Sequence, residues 1–119
     1  MAWTIDEAET VASDLTLIFD HLFEHQMKQG YGPDEAAGLA ARRISAIREL
    51  QVRLAMAPHI GTRHRIGHRE IRNVTLDRTV FWFTLDESRE IVSIEGVFHG
   101  GQDHLGRMLA RLEAEGGDG

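Results

Sequence analysis

Apolar residues recur every three or four positions near the start of the chain: Ala8, Val11, Ala12, Leu15, Ile18, Phe19, Leu22 and Phe23. That spacing lines one face of an amphipathic helix. Just ahead of it, Thr4 and Glu7 make a T-x-x-E capping box with Trp3 in the staple position, which predicts a helix starting at Thr4. Gly30 and Gly32 end it. A second stripe follows at Ala36, Ala40, Ile44, Ile47, Leu50 and Leu54, opened by Pro33, Asp34 and Glu35 and stopped by Pro58 and Gly61. Two helices of about twenty residues on either side of a tight Gly-Pro link predict an antiparallel hairpin.

The pattern then changes. Residues 70–76 (EIRNVTL), 78–85 (RTVFWFTL) and 90–98 (EIVSIEGVF) are rich in β-branched and aromatic side chains, with Asp77 and residues 86–89 as turns between them. Three strands joined this closely predict an antiparallel meander with one apolar face on the hairpin. Alternation puts Phe81 and Phe83 on one face of the middle strand and Trp82 on the other. Residues 104–112 (HLGRMLARL) predict a short last helix despite Gly106. The expected fold class is α+β: an N-terminal antiparallel helical hairpin packed on a three- to four-stranded antiparallel sheet, then a short C-terminal helix. Residues 1–114 form the single expected domain, and residues 115–119 a flexible tail.

Composition narrows the chemistry. The chain has 119 residues, 42% hydrophobic and 27% charged, which suits one domain with one core. No apolar run approaches the ~18 residues that a membrane span needs. The acidic start MAWTIDEAE lacks the blocks of a signal peptide, so a cytoplasmic location is expected. Cysteine is absent, which removes disulfides, thiol catalysis and thiolate metal sites. The net charge of −6 argues against a general nucleic-acid binder. It is unevenly spread, however. Residues 1–41 hold eight acids and one base, residues 42–78 nine arginines and three acids, and residues 79–119 eight acids and three bases. The basic middle either pairs with the acidic flanks or forms one surface for an anionic partner.

Four stretches invite a chemical reading. HLFEH (21–25) matches the H-x-x-E-H pattern of inverted zinc proteases. At ~100° per residue, though, His21 and His25 fall off the apolar stripe and point to solvent, and no metal site is expected. The segment GTRHRIGHRE (61–70) reads as a basic loop, either solvated or gripping a phosphate or an acidic protein. Trp82 is open to two readings, contact with a helix or partner and stacking against a base. VFHGGQDH (97–104) has no phosphate-loop pattern and no nucleophile beside it. It reads as a strand-to-helix corner, ordered by His99 and Asp103, with Asp103 placed to cap the last helix.

The order of these pieces resembles the RelE/ParE superfamily of toxins from bacterial type II toxin–antitoxin systems. A helical hairpin comes first, then Pro58-x-x-Gly61 and Ile71-Arg72, then Val80-Phe81-Trp82-Phe83. An acidic turn follows, then Ile91-Val92-x-Ile94-x-x-Val97-x-His99-Gly100-x-x-Asp103. The ParE branch, often labelled plasmid stabilisation proteins, ends its last strand in a V-L-H-G-R-R-D-like sequence, which residues 97–103 follow. Gly101 and Gln102 stand where that motif has a basic pair.

The resemblance implies a growth-inhibiting protein that binds DNA gyrase, neutralised by a cognate antitoxin in a hetero-oligomer and touching DNA only through it. RelE-like members instead cut messenger RNA on the ribosome, using lysines, arginines and a late tyrosine. Here the one Lys is Lys28 and the one Tyr is Tyr31. Binding without catalysis or cofactor is therefore expected, with the nuclease or a non-toxic scaffold for autorepression as alternatives. A tail of the antitoxin, or the target, is expected to contact Arg63, Arg65, Arg69, Arg72, Arg78 and Trp82. The family corner is His99, Gly100 and Asp103.

Overall fold

The computed structural model describes residues 2–100 and 103–116. The elements run β1 (Thr4–Glu7), α1 (Glu9–Lys28), α2 (Pro33–Met56), β2 (Thr62–Ile66), β3 (Arg69–Leu76), β4 (Thr79–Asp86), β5 (Ile91–His99) and α3 (His104–Gly116). The strands form one sheet in the order β1-β5-β4-β3-β2. All neighbouring strands are antiparallel except β1, which lies parallel to β5 with Thr4 opposite Ile91.

The α+β class, the helical hairpin and the last helix are as the sequence predicts, but the sheet has five strands, not three or four. The first addition is β1. Thr4–Glu7 is extended, and α1 begins only at Glu9 with no side-chain cap. The capping box is not formed because its residues bond elsewhere. Thr4 N–H donates to the Glu90 carbonyl and Ala8 N–H to the Ile94 carbonyl, both at 2.9 Å, while the Glu7 carboxylate accepts from Gln51 at 2.8 Å and Arg48 at 3.2 Å. Pairing with β5 satisfies more backbone groups than one extra helical turn would. The second addition is β2, cut from the segment read as a basic loop and paired along its length with β3.

The sheet is covered on both sides. On one face α1 and α2 pack Val11, Leu15, Ile18, Ile47 and Leu54 against Phe81, Phe83, Val92, Ile94 and Val97. On the other, Met108 and Leu112 of α3 pack against Ile71, Val80, Trp82 and Phe98. Burial on both faces explains why residues 79–83 of β4 read as one unbroken buried run.

Two details dock α3. A Cβ at Gly96 would meet Met108 Sδ at 2.7 Å and the Phe98 ring at 2.8 Å, so only glycine lets the helix approach β5 this closely. Beyond Ile94, β5 has no strand on its outer edge, and α1 covers it instead. There the buried Asp14 carboxylate accepts the Val97 N–H at 3.0 Å and Arg111 of α3 at 2.9 and 3.1 Å. Arg111 also donates to the Glu95 carbonyl at 3.0 Å and lies over the Phe98 ring. The helix continues to Gly116, taking in two residues expected in the tail; residues 117–119 lie outside the described residues.

Candidate functional site

The basic segment folds as a β-hairpin, and strand alternation divides its cations between two faces. Arg63 stands opposite Arg72, and Arg65 opposite Glu70, so Arg63, Arg65 and Arg72 share one face of the β2 edge. Arg63 lies 3.6 Å from Glu70, and Arg72 donates to the His59 carbonyl at 2.9 Å. Arg69 points to the other face and is bound to Glu115 at 2.9 Å and Glu95 at 3.3 Å. Arg78 lies beyond the far end of β3 in the β3–β4 turn, and the four extended steps from Arg72 to Leu76 alone span about 13 Å. The five arginines expected to act as one patch therefore do not. Three share a surface, one is committed to α3, and one belongs to a different part of the molecule.

Trp82 is also corrected as a contact residue. It faces away from Phe81 and Phe83, as alternation requires, but is fully buried under α3. Its ring sits 5.1 Å from that of His64 and 5.8 Å from that of His104. Its indole N–H, which can only donate, reaches His104 Nδ1 at 3.2 Å, so that nitrogen is an acceptor already in use. His64 Nε2 pairs with Asn73 Oδ1 at 3.2 Å. Trp82 meets a helix of its own chain.

β5 ends at His99 and α3 begins at His104, so the chain passes from strand to helix where the sequence predicts. Asp103 Oδ1 accepts the Gly106 N–H at 3.1 Å, the third residue of α3, which is an N-cap bond. A side chain at position 106 would collide with that carboxylate, which accounts for a glycine inside the helix. His99 Nδ1 donates to the Gly100 carbonyl at 2.7 Å. The positions of the missing basic pair, Gly101 and Gln102, lie outside the described residues.

His99 turns its ring toward α1, 5.5 Å from that of His21. His21 and His25 are exposed, as their helical phase predicts. Together with His99 they form part of a pocket between α1 and the β3–β4 turn. In that turn Asp77 and Arg78 both have positive φ, 48° and 63°, the geometry of a two-residue hairpin turn. Arg43 of α2 bonds the Asp77 carboxylate at 2.8 Å and holds its pKa below the usual aspartate value. Asp86, at the other end of β4, is lowered in the same direction by the Ser88 hydroxyl and the Arg89 N–H. Among the described residues no three His, Asp or Glu side chains gather as metal ligands, and no helix is long and apolar enough to cross a membrane.

Sequence reasoning missed the pocket and Asp14. The i, i+4 spacing of His21 and His25 was the available signal for the first. A single acid next to an apolar stripe was the signal for the second.

No protein-family model matches the chain, and no curated protein does. Solved structures do match. A chain of the toxin–antitoxin complex RelBE2 from Mycobacterium tuberculosis aligns with a TM-score of 0.58 at 17% identity, over 83% of this chain and 99% of that one. A chain of the chromosomal ParDE system of P. aeruginosa gives 0.58 at 18% identity, over 83% and 97%. A mutant of the E. coli toxin RelE in its free state gives 0.55 at 10% identity, over 93% and 97%. These alignments cover most of both chains in each case, and the chain has the fold of the RelE and ParE toxins.

Proposed function

We propose that this chain is the toxin of a type II toxin–antitoxin system, acting in the cytoplasm by binding DNA gyrase and held inactive by a cognate antitoxin. The observation that carries the toxin reading is the fold, matched along almost the whole length of RelE and ParE chains. The preference for binding over RNA cleavage rests on the side chains. Cleavage at a 2′-hydroxyl needs a base, an acid and uncommitted cations on the phosphate. Lys28 is the last residue of α1 and Tyr31 lies between α1 and α2, so neither belongs to a strand. On the sheet face under α3, Arg69 and Arg111 are tied to carboxylates, and His104 Nδ1 and His64 Nε2 are both hydrogen-bonded.

The antitoxin is assigned to the β2 edge. This strand has no neighbour on its outer side, so an extended segment can add to it through main-chain hydrogen bonds. Arg63, Arg65 and Arg72 flank that edge and suit an acidic segment. DNA is reached only through the antitoxin.

Induction in bacteria lacking the antitoxin gene tests the target. Filamentation together with loss of supercoiling by purified gyrase is the expected result. Rapid arrest of translation with codon-phased cuts in messenger RNA would instead make the protein a nuclease. Absence of any growth effect would leave a scaffold for autorepression. Arg63→Glu with Arg65→Glu should weaken antitoxin binding about tenfold or more and change stability by no more than about 0.5 kcal/mol. Unchanged affinity would remove the β2 edge from the interface.

A further inference from the structure

The pocket between the helical hairpin and the β3–β4 turn measures about 500 Å³. It is lined from four elements: His21, Leu22 and His25 from α1, Arg43 from α2, Asp77 and Arg78 from the turn, and His99 from the end of β5. It lies on the hairpin side of the sheet, opposite Trp82 and α3. Neither the proposed antitoxin edge nor the sheet face under α3 includes it.

Its charges are unusual for this chain. The protein as a whole carries −6, yet this concavity gathers two guanidinium groups, three imidazoles and a single carboxylate. That carboxylate is already neutralised. Arg43 Nη1 bonds Asp77 Oδ2 at 2.8 Å, while its Nη2 bonds the Asp77 carbonyl and, at 3.3 Å, Thr79 Oγ1. Arg43 and Asp77 therefore cancel, and the remaining fixed charge is that of Arg78. Among the described residues Arg78 makes no side-chain hydrogen bond or ion pair. Its backbone is nonetheless firmly placed. It occupies the second position of the turn, and its carbonyl accepts the Gly100 N–H at 2.7 Å, locking the turn to the end of β5. The imidazoles come from α1 and the end of β5. His21 and His25 are one helical turn apart on α1, and the His99 ring packs on that of His21.

We propose that this pocket binds a phosphate ester of about nucleotide size, with Arg78 as the principal cation, His21 and His25 as supporting donors and His99 as part of the wall. Two features select this class. The cation and the imidazoles are carried by separate elements, the β3–β4 turn and α1, so they reach the pocket from different sides. A tetrahedral oxyanion presents acceptors in several directions, whereas a carboxylate offers two in a single plane. The pocket is also much larger than a phosphate group and falls in the size range of small-molecule sites. Leu22 and the imidazole faces supply an apolar surface for the organic part of the ester. This assignment does not depend on the toxin reading.

Titration of the ¹⁵N-labelled full chain at fixed pH and ionic strength tests the proposal, with 5′-AMP, inorganic phosphate, adenosine and succinate as probes. The expected result is saturable movement of the His21, His25 and His99 imidazole signals with 5′-AMP, at a dissociation constant of about 1 mM or tighter. Phosphate should bind the same site more weakly, and adenosine should leave the signals in place. Arg78→Asn removes the charge but keeps a residue that tolerates positive φ, and it should weaken 5′-AMP about tenfold. His25→Gln, on an exposed helix face, should weaken it less and guards against an effect of turn geometry. Signals unmoved by 5′-AMP, full affinity in Arg78→Asn, or succinate binding as tightly as 5′-AMP would each overturn it.

Discussion

The two faces of the sheet are built differently. The hairpin face is closed by two long helices whose buried cluster with the sheet is built from many aliphatic and aromatic side chains. The other face is closed by one 13-residue helix that contributes Met108 and Leu112 and is fastened by the Arg111–Asp14 pair. Imidazoles of His64 and His104 flank the buried Trp82 there. The first face holds the fold together through area removed from water, which is spread over many side chains. The second depends on few groups, and a region of that kind opens at lower free energy than the body of the domain.

The largest expected effect tests the first face. Phe83→Ala empties a fully buried site between sheet and hairpin and should cost about 3–5 kcal/mol, read as a lower urea midpoint for the whole domain. Arg111→Met should cost somewhat less, about 3 kcal/mol, because it leaves the Asp14 carboxylate buried with the Val97 N–H as its remaining partner. Hydrogen exchange should place that loss mainly in α3. Equal loss across α1 and α2 would show that the two faces are not separable. Deleting residues 104–119 in a Trp3→Phe background sharpens the same point. Trp82 emission should shift to the red and become quenchable by acrylamide, while far-ultraviolet dichroism keeps the signal of α1 and α2. Collapse of all structure would mean that α3 is part of the main core.

The smallest expected effect lies outside both faces. Asp77 and Asp86 have folded pKa values below the ordinary 3.8. Each therefore adds stability that is complete above that value and is lost as pH falls through the folded pKa. Urea midpoints should drop across the acid range below about pH 4, and Asp77→Asn should flatten that limb slightly. An unchanged slope would show that the Arg43–Asp77 pair adds nothing measurable.

The same contrast governs what could be read from the sequence. The hairpin face is legible because each helix writes its buried stripe at a period close to 3.6, and β3, β4 and β5 are rich in β-branched and aromatic side chains between clear turns. Opposite orientation of Trp82 from Phe81 and Phe83 follows from strand alternation. Strand β2 is hidden because it is an exposed edge, TRHRI, with little apolar face to mark it. In β1, Thr4 and Glu7 satisfy a local helix-start rule that the pairing with β5 overrides. Of the arginines, Arg63 and Arg65 share a parity, which was a usable signal. That Arg69 is consumed by Glu95 and Glu115 was not, because those partners lie far along the chain.

By itself, then, the sequence determined the helical hairpin, three strands, and the last helix with its Asp103 cap. All of these depend on residues within a few positions of one another. Tertiary structure alone decided that Thr4–Glu7 is a strand, that Trp82 is interior, that Asp14 closes the edge of β5, and that His21, His25, Arg78 and His99 line one pocket. Each of those outcomes turns on backbone groups or charges that need partners brought together only when the sheet closes.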